Sequence, residues 1–196
     1  MVVRFDVVDP RRADALWAMT QYFEELDRRF PSGFDPGDTL VADAPSMAPP
    51  GGGFIVASDD DGVIACGGVL RVDDATAEIK RMWVHGRSRG HGVGKRMLAE
   101  LESLVVALGY TRVFLDTNGV LTEAITMYRR AGYTDISRYN DNPYAMHWFA
   151  KEVGTDRSLG GGDGRSITAP AVILASDLTR ASTIGRGLFS EVPVDL

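Results

Sequence analysis

The stretch "VHGRSRGHGVGKRMLAELESLVVALGY", Val84 to Tyr110, decides how this chain is read. Its second half places Met97, Leu98, Leu101, Leu104, Val105 and Leu108 on one face of a helix, and Gly109 is a natural stop. Its first half sets Gly90, Gly92 and Gly94 among Arg87, Arg89, Lys95 and Arg96. Cations at a helix N-terminus oppose the macrodipole, whose positive end already lies there. A bound anion resolves the conflict. Glycines let the backbone come close to a ligand, and the first helical amides have no internal partner, so they point N–H groups outward.

Outward from that stretch, strands and helices alternate in a definite order. Val2 to Val8 reads as a first strand, and Leu16, Met19, Phe23, Leu26 and Phe30 recur at steps of three and four on an amphipathic helix that Pro31 ends. "APSMAPPGGG", Ala44 to Gly53, is a loop by composition. Phe54–Ser58, Val63–Val72 and Ala75–Val84 follow as an antiparallel meander broken by "DDDG" and "VDD". After the anion-binding helix, "TRVFLDT" reads as a strand and "TEAITMYRRA" as a helix capped by Thr122. "GYTDIS" and "YAMHWFA" read as two closing strands. Beyond Glu152 the chain changes character. Residues 154–166 form a Gly-rich linker by composition, and 167–196 an extension whose apolar segment Ile167 to Leu174 is a candidate for packing on the domain or on a second copy.

Bulk composition limits the function. The 196 residues, 44 % hydrophobic and 24 % charged, suit one soluble domain with an ordinary core. The net charge of −6 argues against nucleic acid as a partner, because the basic residues cluster in one turn and not along a face. Cys66 is the single cysteine, which excludes an internal disulfide; His85, His91 and His147 lack zinc-site spacing, so no metal is expected. Neither a signal-peptide pattern nor a run of ~18 apolar residues occurs, which makes no membrane association and a cytoplasmic location the expectation.

The anion site has a recognisable spacing. Gly90 to Lys95 lacks the G-x-x-x-x-G-K-[ST] of a nucleoside-triphosphate loop, and its G-x-G-x-G differs from the dinucleotide fingerprint. Arg89-x-x-Gly92-x-Gly94 instead resembles R/Q-x-x-G-x-G/A, the pyrophosphate loop of the GNAT superfamily of acyl-coenzyme A-dependent N-acetyltransferases. "AEIKRMWV" (Ala77–Val84) resembles that superfamily's fourth strand, "LDTN" (Leu115–Asn118) its fifth, and "AITMYRRAGY" (Ala124–Tyr133) the helix after it. The likeness covers about Val2 to Val153, so residues 1–153 are expected to form the catalytic domain. It implies an α/β (α+β) fold with a central mixed, mostly antiparallel sheet of six to seven strands flanked by helices. "RYNDNPYAMHWF", Arg138 to Phe149, resembles a bacterial subset that often carries a histidine where Met146 stands here.

The resemblance further implies direct attack of an amine on acetyl-coenzyme A in a ternary complex, with the acyl donor as co-substrate. Arg89, Gly90, His91, Gly92, Val93, Gly94 and Lys95 would hold its diphosphate. The backbone of Met82, Trp83 and Val84 would pair with the pantetheine arm and supply the oxyanion donor, with Asn118 adding a side-chain contact. Glu78 is the candidate base, directly or through a water, and Tyr128 the candidate acid at the departing sulfur. Each has a plainer reading: Glu78 as a strand carboxylate paired with Lys80 or Arg81, Tyr128 as a helix residue packed on the sheet, Asn118 as a turn residue. His91 reads as lending only its amide, His85 as the strand's end, and Trp83 as core. Trp17, Phe23 and Phe30 either line an acceptor pocket or pack the core. Cys66, in an apolar strand without an evident base, reads as a small buried thiol. The expected acceptor is a small polar amine. A protein lysine and a non-catalytic coenzyme A sensor are the alternatives, and a homodimer is compatible with the family.

Overall fold

In this computed structural model the described residues are 2–37 and 44–154. The expected linker, from 155 on, and the extension 167–196 lie outside them. Seven strands form one sheet: β1 (Arg4–Val8), β2 (Gly53–Asp59), β3 (Gly62–Arg71), β4 (Thr76–Val84), β5 (Arg112–Thr117), β6 (Thr134–Asp135) and β7 (His147–Glu152). Their order is β1-β2-β3-β4-β5-β7-β6. Only β4 and β5 run parallel. Three helices accompany them: α1 (Ala13–Arg29), α2 (Val93–Ala107) and α3 (Thr122–Arg130). No helix among the described residues is long and apolar enough to cross a membrane.

Short turns fix the meander. Asp59 accepts the Asp61 amide at 3.0 Å between β2 and β3, and Asp73 accepts the Ala75 and Thr76 amides at 2.8 Å each between β3 and β4. Side-chain caps of this type satisfy turn amides that no ladder reaches. One layer of core lies under α2, where Met97, Leu98, Leu101 and Val105 meet Ile55, Val69, Val113, Leu115 and Phe149, with Ile125 and Tyr128 of α3. A second lies under α1, where Ala15, Ala18 and Met19 meet Phe54, Val56, Cys66 and Trp83. The small alanines on α1 bring it close to the sheet. Gly67 does the same for α2: a methyl group there would stand 2.6 Å from Leu101 Cδ1.

The sheet opens in its middle. β4 pairs with β5 only through Thr76, Ala77 and Glu78. On its other side, Cys66 stands opposite Trp83 but Gly68 opposite Lys80, so three steps of β4 oppose two of β3. This is a β-bulge. It centres on Arg81, whose φ of 56° is left-handed and unusual outside glycine. Past Glu78 the β5-facing edge of β4 therefore has no strand beside it.

Three local expectations need correction. The residue before α3 is Leu121, not Thr122, and no side chain caps that end; the Thr122 carbonyl instead accepts the Thr126 hydroxyl at 2.8 Å. Strand pairing in "GYTDIS" shrinks to Thr134–Asp135. The last strand begins at His147, not Tyr144, because Asn142 makes a turn in which its side-chain oxygen accepts the Tyr144 amide.

Candidate active site

At the start of α2 stand the glycines expected to cradle an anion. Gly90 and Gly92 have φ of 77° and 78°, conformations that carry a Cβ penalty in other residues. Gly92 is the N-cap, and Arg96 N–H to Gly92 O, at 3.1 Å, is the first intrahelical bond. The amides of Val93, Gly94 and Lys95 thus fall in the turn whose N–H groups lack intrahelical acceptors. No acidic residue occupies that turn. Left-handed glycines, first-turn amides and Lys95 fit a diphosphate.

The surrounding cations divide into two groups. Arg89 and Lys95 line a cavity of about 480 Å³ with Gly90, Gly92, Val93 and Gly94, the backbone-presenting Met82, Trp83 and Val84, and α3 residues up to Arg130. Arg87 instead forms a bidentate pair with buried Asp59, at 2.7 and 2.9 Å. Arg96 turns to the far side, 4.8 Å over the Phe5 ring. These two cations are therefore structural and not part of the cradle. Arg89 itself is held by Val84 O, at 2.9 Å, and by an ion pair with Glu25 of α1. Glu25 also accepts the Trp83 indole N–H at 3.0 Å. His91 is exposed and does not line the cavity. His85 follows β4 directly and accepts the Arg87 amide on Nδ1 at 3.2 Å.

On the other side of the bulge lies a second cavity, of about 400 Å³. Tyr22, Leu26, Met82, Leu121, Ala124 and Tyr128 line both. Tyr128 is almost wholly buried, 7 % exposed, and burial pushes its phenol up, with nearby Asp116 reinforcing the shift. It is thus a neutral O–H donor at working pH. The second cavity's wall includes Phe23, Phe30, Phe34 and Tyr144, so two of the three aromatic candidates on α1 face it or its rim. The third does not: Trp17 is 43 % exposed and meets Trp83 edge-on at 6.0 Å. Asn118 lines this second cavity, with its side chain tying a turn through Tyr144 O (2.7 Å) and Val120 N–H (3.0 Å).

Glu78 sits behind the second cavity without lining it. It is 6 % exposed, and burial raises its pKa, opposed by Lys80 and by the Tyr139 hydroxyl. Tyr139 Oη donates to Glu78 Oε1 at 2.7 Å, and Lys80 Nζ stands 3.3 Å from the same oxygen. The Asn140 carboxamide reaches both Glu78 (3.3 Å) and Asp116 (2.6 Å). Asp116, which does line the cavity, was not singled out by sequence reasoning. Its signal was a carboxylate in an otherwise apolar strand, beside the polar run "RYNDN". Cys66 is fully buried, with its thiol pushed up by burial, as a packing cysteine should be.

A sequence model described as Acetyltransferase (GNAT) family matches residues 19–133, more than half of the chain. An IAA acetyltransferase of Azospirillum brasilense is 30% identical over 133 residues, covering 66% of this chain and 87% of that protein. Among solved structures, a GNAT-family acetyltransferase from Staphylococcus aureus superposes with TM-score 0.66 at 14% identity, over 78% of this chain and 100% of the other. A GNAT-family acetyltransferase from Elizabethkingia anophelis, with acetyl-CoA bound, gives 0.58 at 14% identity, over 77% and 98%. The two structures speak to the fold, and the sequence matches to kinship. With a pyrophosphate-type loop, a bulged fourth strand and a sheet opened beside it, the chain belongs to the Acetyltransferase (GNAT) family of acyltransferases.

Proposed function

We propose that this protein transfers an acetyl group from acetyl-coenzyme A directly to the primary amine of a small molecule. One observation carries the reading: two cavities meet at six shared residues, including Met82 at the bulge and Tyr128, so donor and acceptor approach the same point from opposite sides. The amides of α2's first turn, with Lys95 and Arg89, hold the diphosphate. The open edge of β4 at Met82–Val84 pairs with the extended arm, and a backbone N–H there stabilises the developing oxyanion. An acceptor cavity of about 400 Å³ between α1, β4, β5 and the 142–145 segment fits a metabolite better than a protein lysine on an open groove.

In the reaction the amine nitrogen bonds to the acetyl carbon as that carbon's bond to sulfur breaks. Tyr128 gives a proton to the departing sulfur. The ammonium's proton passes, through a water, to Glu78, which lies behind the cavity wall and whose pKa burial raises, while Asp116 faces the amine from the wall itself. The test is thiol release across an amine panel, with Glu78→Gln as the probe. Its kcat deficit is greatest near neutral pH and shrinks as pH approaches the amine's own pKa of ~10. A deficit independent of pH removes Glu78 from proton transfer. Acetyl-coenzyme A binding without turnover on any amine favours a sensor instead.

A further inference from the structure

Asp116 and Asp35 are the two carboxylates that line the second cavity; Asp116 is the one near Tyr128, and its setting is unusual for a structural acid. Its two oxygens accept from neutral carboxamides, Asn140 Nδ2 at 2.6 Å and Asn142 Nδ2 at 3.0 Å. The Trp148 indole N–H, 3.0 Å from Asn140 Oδ1, fixes which way that amide faces. Asn142 is likewise oriented, its Oδ1 accepting the Tyr144 amide at 3.1 Å. Among the described residues no Lys, Arg or His lies within ion-pair distance of Asp116. Lys80, the cation nearest in the strand order, is engaged by Glu78. A carboxylate oriented by two neutral donors at a cavity wall has lone pairs to spare.

The same cavity has an aromatic wall. Phe34 stacks on Phe23 (centroids 5.6 Å, 17°), meets Phe30 edge-on at 5.8 Å, and packs on Tyr144 at 4.6 Å. Phe23 and Phe30 are buried, whereas Phe34 and Tyr144 are half-buried and present ring surface. Rings of this kind favour a flat apolar partner. A cationic end opposite an apolar body is the complement of such a cavity.

Resting on the acetyl-transfer reading above, we propose that the acceptor is a primary amine on an aromatic body: its ammonium sits on Asp116, and its ring sits against Phe34 and Tyr144. Asp116 is then the residue that fixes the attacking nitrogen at the junction of the two cavities. An acceptor of uniformly polar character leaves the aromatic wall unused. A free α-amino acid brings its carboxylate next to Asp116, while the two cations of the same lining are turned elsewhere, Lys80 to Glu78 and Arg81 to Met19 and the Phe23 ring.

The experiment uses the full chain and three acceptors: 2-phenylethylamine, phenylalanine and a lysine-containing hexapeptide. Thiol release gives kcat and KM for each, and calorimetry gives acetyl-coenzyme A affinity separately. The arylalkylamine should exceed both others in kcat/KM by about tenfold or more, the scale of one charge-assisted hydrogen bond. Phenylethyl alcohol, which lacks the charge, should inhibit at least about tenfold more weakly than a non-reactive N-methylated phenylethylammonium. Asp116→Asn should raise the amine KM by a similar factor with acetyl-coenzyme A affinity unchanged, and Phe34→Ala should raise KM for the arylalkylamine more than for a short alkylamine. Preference for phenylalanine or the peptide, or equal inhibition by the alcohol and the ammonium, overturns the inference while leaving acetyl transfer intact. Absence of acetyl-coenzyme A binding by the folded wild-type protein overturns the transfer reading beneath it.

Discussion

Glu78 gives the residue scale its sharpest problem: a buried carboxylate with one ammonium, one phenol and one carboxamide around a single oxygen. Burial is the largest influence and raises its pKa above the ordinary 4.5. The folded state therefore holds the proton more tightly than the unfolded chain. Its contribution to stability is fully present below pH 4.5 and is lost as pH rises through the higher folded value. Glu78→Gln keeps an acceptor for Tyr139 but removes the charge. Its melting temperature relative to wild type should accordingly climb between about pH 4.5 and 7; thermal melts across that window check this, and a flat difference would show that Lys80 and Tyr139 offset burial completely. Tyr128 poses the complementary case. Its phenol is raised by burial and sits where the two cavities join. Tyr128→Phe leaves the ring packing on Phe149 and Tyr133 in place, so the fold should survive while kcat falls by roughly 10²-fold. Full activity in that variant would assign sulfur protonation to solvent.

At the scale of elements, periodicity located the three α-helices of the described residues and most of their strands, because each buries one face. Met97, Leu98, Leu101 and Val105 are the stripe that α2 presents to the sheet, and all are buried. The misread ends lie where tertiary contacts, not periodicity, decide. The expected start of the last strand at Tyr144 fails because Asn142 is drawn to Asp116 and accepts the Tyr144 amide, which holds that residue in a turn. β6 keeps two paired residues, Thr134 and Asp135, and beyond them only the Ile136 amide still reaches β7, at Trp148 O (2.9 Å). The close seating of α2 on β3 was also invisible in one dimension, since it depends on Gly67 lacking a side chain opposite Leu101. Gly67→Ala should lower stability by about 1–3 kcal/mol through overpacking. In a Leu101→Ala background the same change should cost much less, because the space is then open. A double-mutant cycle by chemical denaturation measures that coupling, and strict additivity would place the strain elsewhere.

Over the whole molecule, the glycine turn at the start of α2 was legible and the second cavity was not, for a physical reason. The cradle is local: a glycine spacing, a helix start and backbone amides lie within eight residues of sequence. The second cavity is assembled from α1, β4, β5 and the 142–145 segment, so its members acquire meaning only together. Glu25 is the clearest case. It reads as one more charge on α1's polar face, yet it crosses to the cradle and pairs with Arg89, while Arg29 beside it reaches Glu123 at 2.5 Å. An anionic residue thus occupies the cation that the cradle offers to a diphosphate, in a chain of net charge −6. Ligand and Glu25 compete for Arg89, and Glu25 repels the incoming phosphates. Glu25→Gln keeps an acceptor for the Trp83 indole and removes the competitor's charge. Acetyl-coenzyme A should then bind up to about fivefold more tightly at low salt, or ~1 kcal/mol, the usual ceiling for a partly exposed pair. Screening confines exposed charges to a few ångströms near 1 M salt, so the advantage should fade as ionic strength rises. Calorimetric titration at two salt concentrations makes the comparison, and unchanged or weaker binding at low salt would mean that Arg89 stays with α1 and the diphosphate relies on the amides and Lys95 alone.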